Sequence, residues 1–262
     1  MGGGTRLGWQ ALGVPRPPEA CRPDCIETCA SCVFFRSPRR KGIRCASISI
    51  DDFYLTYEEQ NRVAEANPGN SLLQLRGNAG SHDLALGEET LRRLKGLTKP
   101  GDKAQVPRYN KSAYGGRGDR APEETWPVVE GPLDVVLLEG WMLGFRPTDA
   151  ERAREVSPEL VPVNERLREY HGRWDAYVDS WMVIQVSDPQ WVFDWRLQAE
   201  QKMRAAGKAG MTDAQIADFV NRFMPAYRLY LGDLYREGPT TARDGHLLRI
   251  AVDSTRSPVK LH

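Results

Sequence analysis

Three short apolar runs constrain the fold of this chain more than any other feature of its sequence. They are LDVVLL at 133–138, WMVIQV at 181–186 and LLRIAV at 247–252. A nearly uninterrupted apolar run of this length is typical of a strand that is covered on both faces, as the strands of parallel sheets are. A fourth segment, CASISI at 45–50, alternates in polarity and also predicts a strand.

Segments with helical spacing of apolar residues separate these strands. The predicted helices span 56–66, 86–97, 189–206 and 212–234, with one or two more inside 157–180, and Thr212 is a candidate N-cap. A further short strand is predicted at 104–109, and a flexible loop at 115–118 (GGRG). Strands that alternate with helices in this way predict an α/β fold, a parallel sheet with helices on both faces.

Composition excludes several classes of protein. Apolar residues make up 40% of the chain and charged residues 27%, which excludes a collagen, a coiled coil and a wholly disordered chain. No uninterrupted apolar stretch approaches the length of a transmembrane helix. The net charge of +1 provides no general field for nucleic acid or membrane, so we predict neither as a partner.

The first 44 residues differ from the rest of the chain. They hold eight Lys or Arg and three Asp or Glu, whereas the remaining 218 residues hold 28 and 32. Four of the five cysteines lie there, and no apolar period of either kind is present. We therefore predict an irregular, disordered segment at 1–44 and an α/β domain at 45–262. Because the domain has no disulfide framework, we expect a reducing compartment.

Acidic residues directly follow two of the predicted strands. Asp51 and Asp52 come after the 45–50 strand, and Glu139, followed by Gly140, comes after 133–138. Ligands of parallel sheets bind at the carboxyl ends of the strands, where a carboxylate can accept a hydroxyl proton or hold metal-bound water. Gly140 would let the chain turn close to such a ligand. The alternatives are a helix N-cap for the aspartates and an ordinary turn for Glu139 and Gly140.

Two basic segments are candidates for anion binding. Arg108, Tyr109 and Lys111 lie within VPRYNKS at 106–112, a composition that suits an anionic, hydroxylated ligand or, equally, a solvated loop. Arg196 lies four residues before Glu200 on the 189–206 helix. This spacing favours a surface ion pair, although a helix can also carry an arginine to a transferring phosphate.

No segment of the chain matches the Walker A motif G-x-x-x-x-G-K-[ST], whose backbone amides and lysine hold nucleotide phosphates. Gly207 and Lys208 are followed by Ala209, and the glycines at 2–4 and 115–118 lack the Lys-Ser/Thr ending. None of these three places is therefore interpreted as a phosphate-binding loop.

Six segments together resemble plant-type D-glycerate 3-kinase. They are SISIDDFYLT at 47–56, NPGNSLLQLRGNAGSHDL at 67–84, VPRYNKSAYGGRGDR at 106–120, VVLLEGWMLGF at 135–145, DPQWVFDWRLQAE at 188–200 and GMTDAQIADFVNRFMPAY at 210–227. They occur in family order, and the resemblance extends over roughly 46–259, which is over four fifths of the chain. More distantly, the Asp-x-Phe-Tyr and Leu-Glu-Gly elements resemble uridine kinase, phosphoribulokinase and pantothenate kinase, which belong to the same P-loop kinase group.

The resemblance implies ATP-dependent phosphorylation of D-glycerate to 3-phosphoglycerate in chloroplast photorespiration, with ATP and Mg²⁺ as cofactors. Without the resemblance, a cytoplasmic location would be expected. The resemblance further implies that Asp51 is the base, that Glu139 places Mg²⁺ through water, and that Arg196 closes over phosphates. The substrate-binding positions it implies are Arg108, Tyr109, Lys111 and His82.

One departure from the family qualifies these expectations. Members of the group begin the domain with a strand, a Walker A loop and a helix, whereas this chain has the Cys- and Pro-rich segment 1–44 in that place. We therefore predict a P-loop-kinase-like sheet that lacks its first, central strand and the P-loop helix, with impaired phosphate binding. We interpret the segment 1–44 either as a transit peptide or as the result of a truncated or wrongly joined gene product.

Two other functions remain open at this level. The chain could be a catalytically inactive relative that binds glycerate or a partner without transferring phosphate. It could also be a zinc-binding interaction module, with Cys21, Cys25, Cys29 and Cys32 as ligands, although C-x3-C-x3-C-x2-C is more compact than the usual zinc spacings.

Overall fold

The computed structural model describes residues 43–205, 207 and 211–260. The strands are β1 (Cys45–Ser49), β2 (Lys103–Gln105), β3 (Tyr109–Asn110), β4 (Asp119–Arg120), β5 (Val128–Glu130), β6 (Val135–Glu139), β7 (Trp181–Val186), β8 (Leu247–Val252) and β9 (Pro258–Val259). The helices are α1 (Tyr57–Ala66), α2 (Leu84–Lys95), α3 (Ala150–Val156), α4 (Leu160–Arg173), α5 (Trp191–Ala205), α6 (Asp213–Asn221) and α7 (Met224–Glu237). The predicted α/β fold is confirmed. The predicted disorder of 1–44 and the four cysteines at 21–32 fall outside the described residues, apart from Ile43 and Arg44.

Among the described residues, the parallel strands form two separate pairs. β1 lies beside β6, with Cys45 opposite Val135 and Ser49 opposite Glu139. β7 lies beside β8 in the same sense, and β9 adds an antiparallel edge to β8. In the part of the chain that the structure describes, no hydrogen-bonded strand joins β6 to β7. The absence of a central strand nevertheless stays a prediction.

The parallel strands are less covered than their apolar sequences predict. No residue of β6 is fully buried, and Val135 is 39% exposed. On β7, Trp181 and Val183 are buried, whereas Ile184 is 43% exposed on the opposite face. The expectation that the 133–138 strand is covered on both faces is therefore wrong. The physical reason is that a strand is buried only where other elements lie over it, and in the described residues β6 pairs with β1 alone.

Two predicted elements are each divided in two. The strand expected at 104–109 is β2, paired with β5, and β3, paired with β4. The helix expected at 212–234 is α6 and α7, because Pro225 lies in the first turn of α7 and cannot continue a helix from the N-terminal side. Thr212 is confirmed as an N-cap, and its hydroxyl accepts the backbone N–H of Gln215.

In the part of the chain that the structure describes, the helices bury their apolar faces in two cores. The main core is centred on large side chains that include Phe53, Phe145 and Trp174. A smaller cluster, called here the satellite core, consists of Ile216, Val220 and Met224, with partly buried residues of α5 and α6 packed against them. None of the helices in the described residues combines the length and apolar composition that a membrane span needs.

Candidate active site

The backbone at the end of β1 places two aspartates beyond the parallel pair. The Ser49 hydroxyl accepts the N–H of Asp51 at 3.3 Å and caps the 3₁₀ turn Ile50–Phe53. Since Ser49 lies opposite Glu139 in the register of β1 and β6, the strand-end carboxylates share one edge of the sheet. The alternative N-cap interpretation is not realised for the aspartates, because Ser49 is the cap.

Asp51 forms an ion pair with a residue distant in sequence. The Lys111 Nζ lies 2.7 Å from its Oδ2, and the Tyr54 hydroxyl also donates to this carboxylate. Burial alone raises the pKa of Asp51, but the charge and hydrogen bond of Lys111, with the hydrogen bond of Tyr54, hold the pKa below its ordinary value. Burial raises the pKa of Tyr54 well above its ordinary value, so this phenol stays protonated and remains a donor. Asp51 is thus an ionised carboxylate at neutral pH.

Asp52 holds the segment that carries Lys111. Its Oδ2 lies 3.2 Å from Nη1 of Arg108, and its Oδ1 accepts the backbone N–H of Tyr109 at 3.2 Å. Arg108 is thereby directed to a protein carboxylate, and Tyr109 is 4% exposed. The predicted substrate positions Arg108, Tyr109 and Lys111 all lie beside the two aspartates. Their contact with a substrate stays a prediction.

His82 belongs to the same cluster through aromatic contacts. Its ring stacks on Tyr54 with centroids 4.6 Å apart, and its Nδ1 lies 2.8 Å from the hydroxyl of Tyr170. Burial lowers the pKa of His82 to about 4, although the charge of Asp51 opposes this shift, so the ring is neutral near pH 7. Its buried Nε2 has no hydrogen-bond partner among the described residues. We refer to Asp51, Asp52, His82, Arg108 and Lys111 as the acceptor cluster.

Glu139 ends β6 beside this cluster, and Gly140 follows it for a different reason from the expected one. A Cβ at Gly140 would lie 2.5 Å from Cδ1 of Ile50, so the glycine makes room for a core side chain. In the described residues no three His, Cys, Asp or Glu side chains are grouped to hold a metal ion. One partly exposed carboxylate still fits Mg²⁺, because this ion is commonly held by one or two carboxylates together with the phosphates of a ligand.

Arg196 lies apart from the acceptor cluster, in the helices around the satellite core. On α5 it forms the i,i+4 ion pair with Glu200, and its guanidinium lies 5.0 Å from the ring of Phe219. Glu200 is 1% exposed, and its Oε2 also accepts the N–H of Met211 at 2.9 Å. The ion pair expected from spacing is present with a buried carboxylate. The proposed contact of Arg196 with phosphate stays a prediction.

Sequence reasoning missed two residues of the site. Tyr54 donates to Asp51, and its place in Asp-Asp-Phe-Tyr directly after the strand could have indicated this. Arg76 donates to backbone carbonyls of the loop after Lys111, and no local pattern marks it.

Comparison with known proteins identifies relatives over most of the chain. D-glycerate 3-kinase, chloroplastic, from Arabidopsis thaliana is 54% identical over 225 residues, 86% of this chain and 49% of that protein. The uncharacterized kinase mug58 of Schizosaccharomyces pombe is 35% identical over 85% of this chain and 82% of its own length. The solved structure of D-glycerate 3-kinase from Cryptococcus neoformans has a TM-score of 0.78 and 38% identity, over 85% of this chain and 81% of that one. No family model matches the chain.

These relatives are named as kinases, and together with the α/β fold they show that this protein is a kinase as well. More narrowly, the chain belongs to the D-glycerate 3-kinase family. It spans about half the length of the Arabidopsis relative.

Proposed function

We propose that the protein phosphorylates D-glycerate on its 3-hydroxyl group at the expense of ATP, which yields 3-phosphoglycerate. The Asp51–Lys111 pair at the carboxyl end of β1 carries this proposal, because it offers an ionised carboxylate to a substrate hydroxyl. The names of the Arabidopsis and Cryptococcus relatives support D-glycerate as the acceptor. We further propose a role in photorespiration and a chloroplast location, the latter from the Arabidopsis name.

The residues of the acceptor cluster, together with Tyr109, have separate parts in this reaction. The Asp51 carboxylate accepts the hydroxyl proton of glycerate, and Lys111 keeps that carboxylate ionised and close to the acceptor. Arg108, Tyr109 and His82 surround the rest of this small acid, and the cationic side chains attract its carboxylate. Phosphoryl transfer depends mainly on positioning and charge, so a base of low pKa is sufficient.

The described residues offer a candidate ligand for Mg²⁺ but no complete site for the phosphates of ATP. When bound, ATP with Mg²⁺ supplies the phosphoryl group, and Glu139 would hold the metal ion through water. Arg196 is our candidate for the phosphate side. The described residues offer no glycine-rich phosphate cradle, and the sequence has no Walker A motif, so we assign no residue to the remaining phosphates.

A coupled assay tests the proposal. The purified chain is incubated with Mg-ATP and D-glycerate, and both ADP and 3-phosphoglycerate are measured, with L-glycerate and glycerol as comparison substrates. We expect equal amounts of ADP and 3-phosphoglycerate with D-glycerate, and no ADP above background with glycerol. ADP release that is independent of D-glycerate would contradict the assignment.

A second function, glycerate binding without phosphoryl transfer, is favoured by the missing Walker A motif. Calorimetric titration separates the two. Heat from D-glycerate with none from Mg-ATP would support binding alone, whereas micromolar affinity for Mg-ATP would support the kinase. A chimera that carries a relative's strand and phosphate-binding loop is the positive control.

A further inference from the structure

The loop at 111–117 brings Lys111 to Asp51, and Arg76 contacts this loop from outside the acceptor cluster. We propose that Arg76 is a positioning residue, which holds the backbone of the loop so that Lys111 stays against the Asp51 carboxylate. The inference rests on the proposed function, because it gives Arg76 a part in the same site.

The Arg76 guanidinium donates to three carbonyl oxygens of the loop. Its Nη1 lies 2.8 Å from the oxygen of Gly116 and 2.5 Å from that of Arg117. Its Nη2 lies 3.4 Å from the oxygen of Lys111 itself. The rigid fork of an arginine suits such a set of acceptors, whereas a lysine offers one compact ammonium. One side chain thus contacts both ends of the loop.

The loop has a conformation that needs such contacts. Tyr114 has φ 50°, in the left-handed region that is unfavourable for a residue with a bulky side chain, and Gly115 and Gly116 follow with φ 64° and 93°. Tyr114 stacks on Tyr57 with ring centroids 3.9 Å apart, which secures the tip of the loop. Arg76 joins the end that carries Lys111 to the end at Gly116 and Arg117.

The space for Arg76 is provided by a glycine. Gly118 has φ 82°, and a Cβ there would lie 2.9 Å from Nη1 of Arg76 and 2.5 Å from Cε1 of Tyr109. The Arg76 guanidinium carbon lies 5.5 Å from the ring of Tyr109 and 5.9 Å from that of Tyr54, which donates to Asp51. Arg76 therefore packs on two side chains of the site while it bonds the loop.

This arrangement predicts that Arg76 acts on Asp51 through Lys111. If Arg76 is lost, the loop relaxes and the ammonium group leaves the carboxylate. Asp51 then loses the cation that favours its ionised form, so its titration midpoint rises. The midpoint can be followed by carbon NMR of labelled aspartate carboxyls, assigned with Asp51→Asn. This readout needs neither substrate nor activity.

The variants are Arg76→Lys, Arg76→Gln, Lys111→Gln and the double variant Arg76→Gln/Lys111→Gln. We expect the Asp51 midpoint to rise slightly in Arg76→Lys, more in Arg76→Gln, and no further in the double variant than in Lys111→Gln alone. Arg168→Gln is the matched control. Arg168 lies on the exposed side of α4 and also donates to a backbone carbonyl oxygen, that of Thr148. This variant should leave the Asp51 midpoint unchanged.

Activity supplies the second readout. Arg76→Gln should lower kcat/KM for D-glycerate by roughly 10- to 100-fold, as misplacement of a catalytic group does. An unchanged Asp51 midpoint in Arg76→Gln would overturn the inference, as would a double-variant shift equal to the sum of the single shifts, which would indicate a direct charge effect. If neither the parent protein nor any variant phosphorylates D-glycerate, but the Asp51 midpoints shift as expected, the proposed function fails and the positioning role stands.

Discussion

The acceptor cluster and the helices around the satellite core both join a carboxylate to a basic side chain, but they do so over different distances along the chain. Asp51 and Lys111 are 60 residues apart and meet only when the strands and loops are assembled. Arg196 and Glu200 are four residues apart and meet on a single helix. The first pair therefore depends on the whole fold, and the second depends mainly on α5.

The two regions also differ in what their carboxylates do. Asp51 remains partly accessible, with a side chain 29% exposed, so a substrate can reach it. The Glu200 side chain is 2% exposed and bonds both Arg196 and the backbone N–H of Met211. Glu200 thereby ties α5 to the segment before α6. A residue that contacts a substrate must be accessible to it, whereas an ion pair that holds two segments together can be buried. Substitutions in the two regions are therefore expected to have different effects.

The largest effect is expected from Asp51→Asn. This change keeps the size of the side chain but removes the proposed proton acceptor, so kcat should fall by roughly 10²- to 10⁴-fold while D-glycerate still binds. Steady-state assays and calorimetry measure the two quantities. Asp244→Asn, at an exposed position, is the control. A kcat within tenfold of the parent protein would remove Asp51 from the role of base.

The next effect is expected on stability, from Glu200→Gln. Removing one partner of a buried ion pair leaves Arg196 without its counter-ion, and the free energy of local unfolding of α5 and α6 should fall by about 3 kcal/mol. Hydrogen exchange should accelerate in α5 and α6 and remain unchanged in β1, because the satellite core is a small separate cluster. Arg204→Gln breaks an exposed pair with Asp213 and should change little. Equal acceleration in β1 would show that both regions unfold together.

A similar effect, spread over a range of pH, is expected from His82. Burial lowers its pKa in the folded protein to about 4, below the ordinary value near 6.5, so the unfolded chain binds more protons between these values. Stability should therefore fall as the pH falls from about 6.5 to 4, by about 3 kcal/mol in total, and this contribution is absent above pH 6.5. The free energy of unfolding in denaturant is measured for the parent protein and for His82→Gln at each pH, and the difference between the two isolates the contribution of His82. A difference that is constant across this range would contradict the assignment.

The smallest effect is expected from Glu139→Gln. If Glu139 holds Mg²⁺ through water as proposed, its loss should raise the Mg²⁺ concentration for half-maximal activity by roughly tenfold, with kcat at saturating Mg²⁺ little changed. Mg²⁺ titrations of the assay measure this. Glu130→Gln removes an exposed carboxylate that pairs with Lys103, and it serves as the control. Identical Mg²⁺ curves for the two variants would count against Glu139.

Local patterns were sufficient to predict the elements that depend on neighbouring residues. The spacing of apolar side chains predicted β1, β7 and β8, and Thr212 was identified as an N-cap before a helical run. The break between α6 and α7 could also have been predicted, since Pro225 was visible in the sequence. The strand-end position of Asp51 and Glu139 followed from the same patterns.

Only the tertiary structure decided which side chains meet. The contacts of Asp51 with Lys111, of Asp52 with Tyr109, and of Arg76 with the carbonyl oxygens of the 111–117 loop join residues that are 35 to 60 positions apart. The exposure of β6 likewise depends on which elements lie beside it rather than on its own composition. Periodicity reports how a segment faces its surroundings, whereas a long-range contact depends on strand register and loop path, which no local spacing contains.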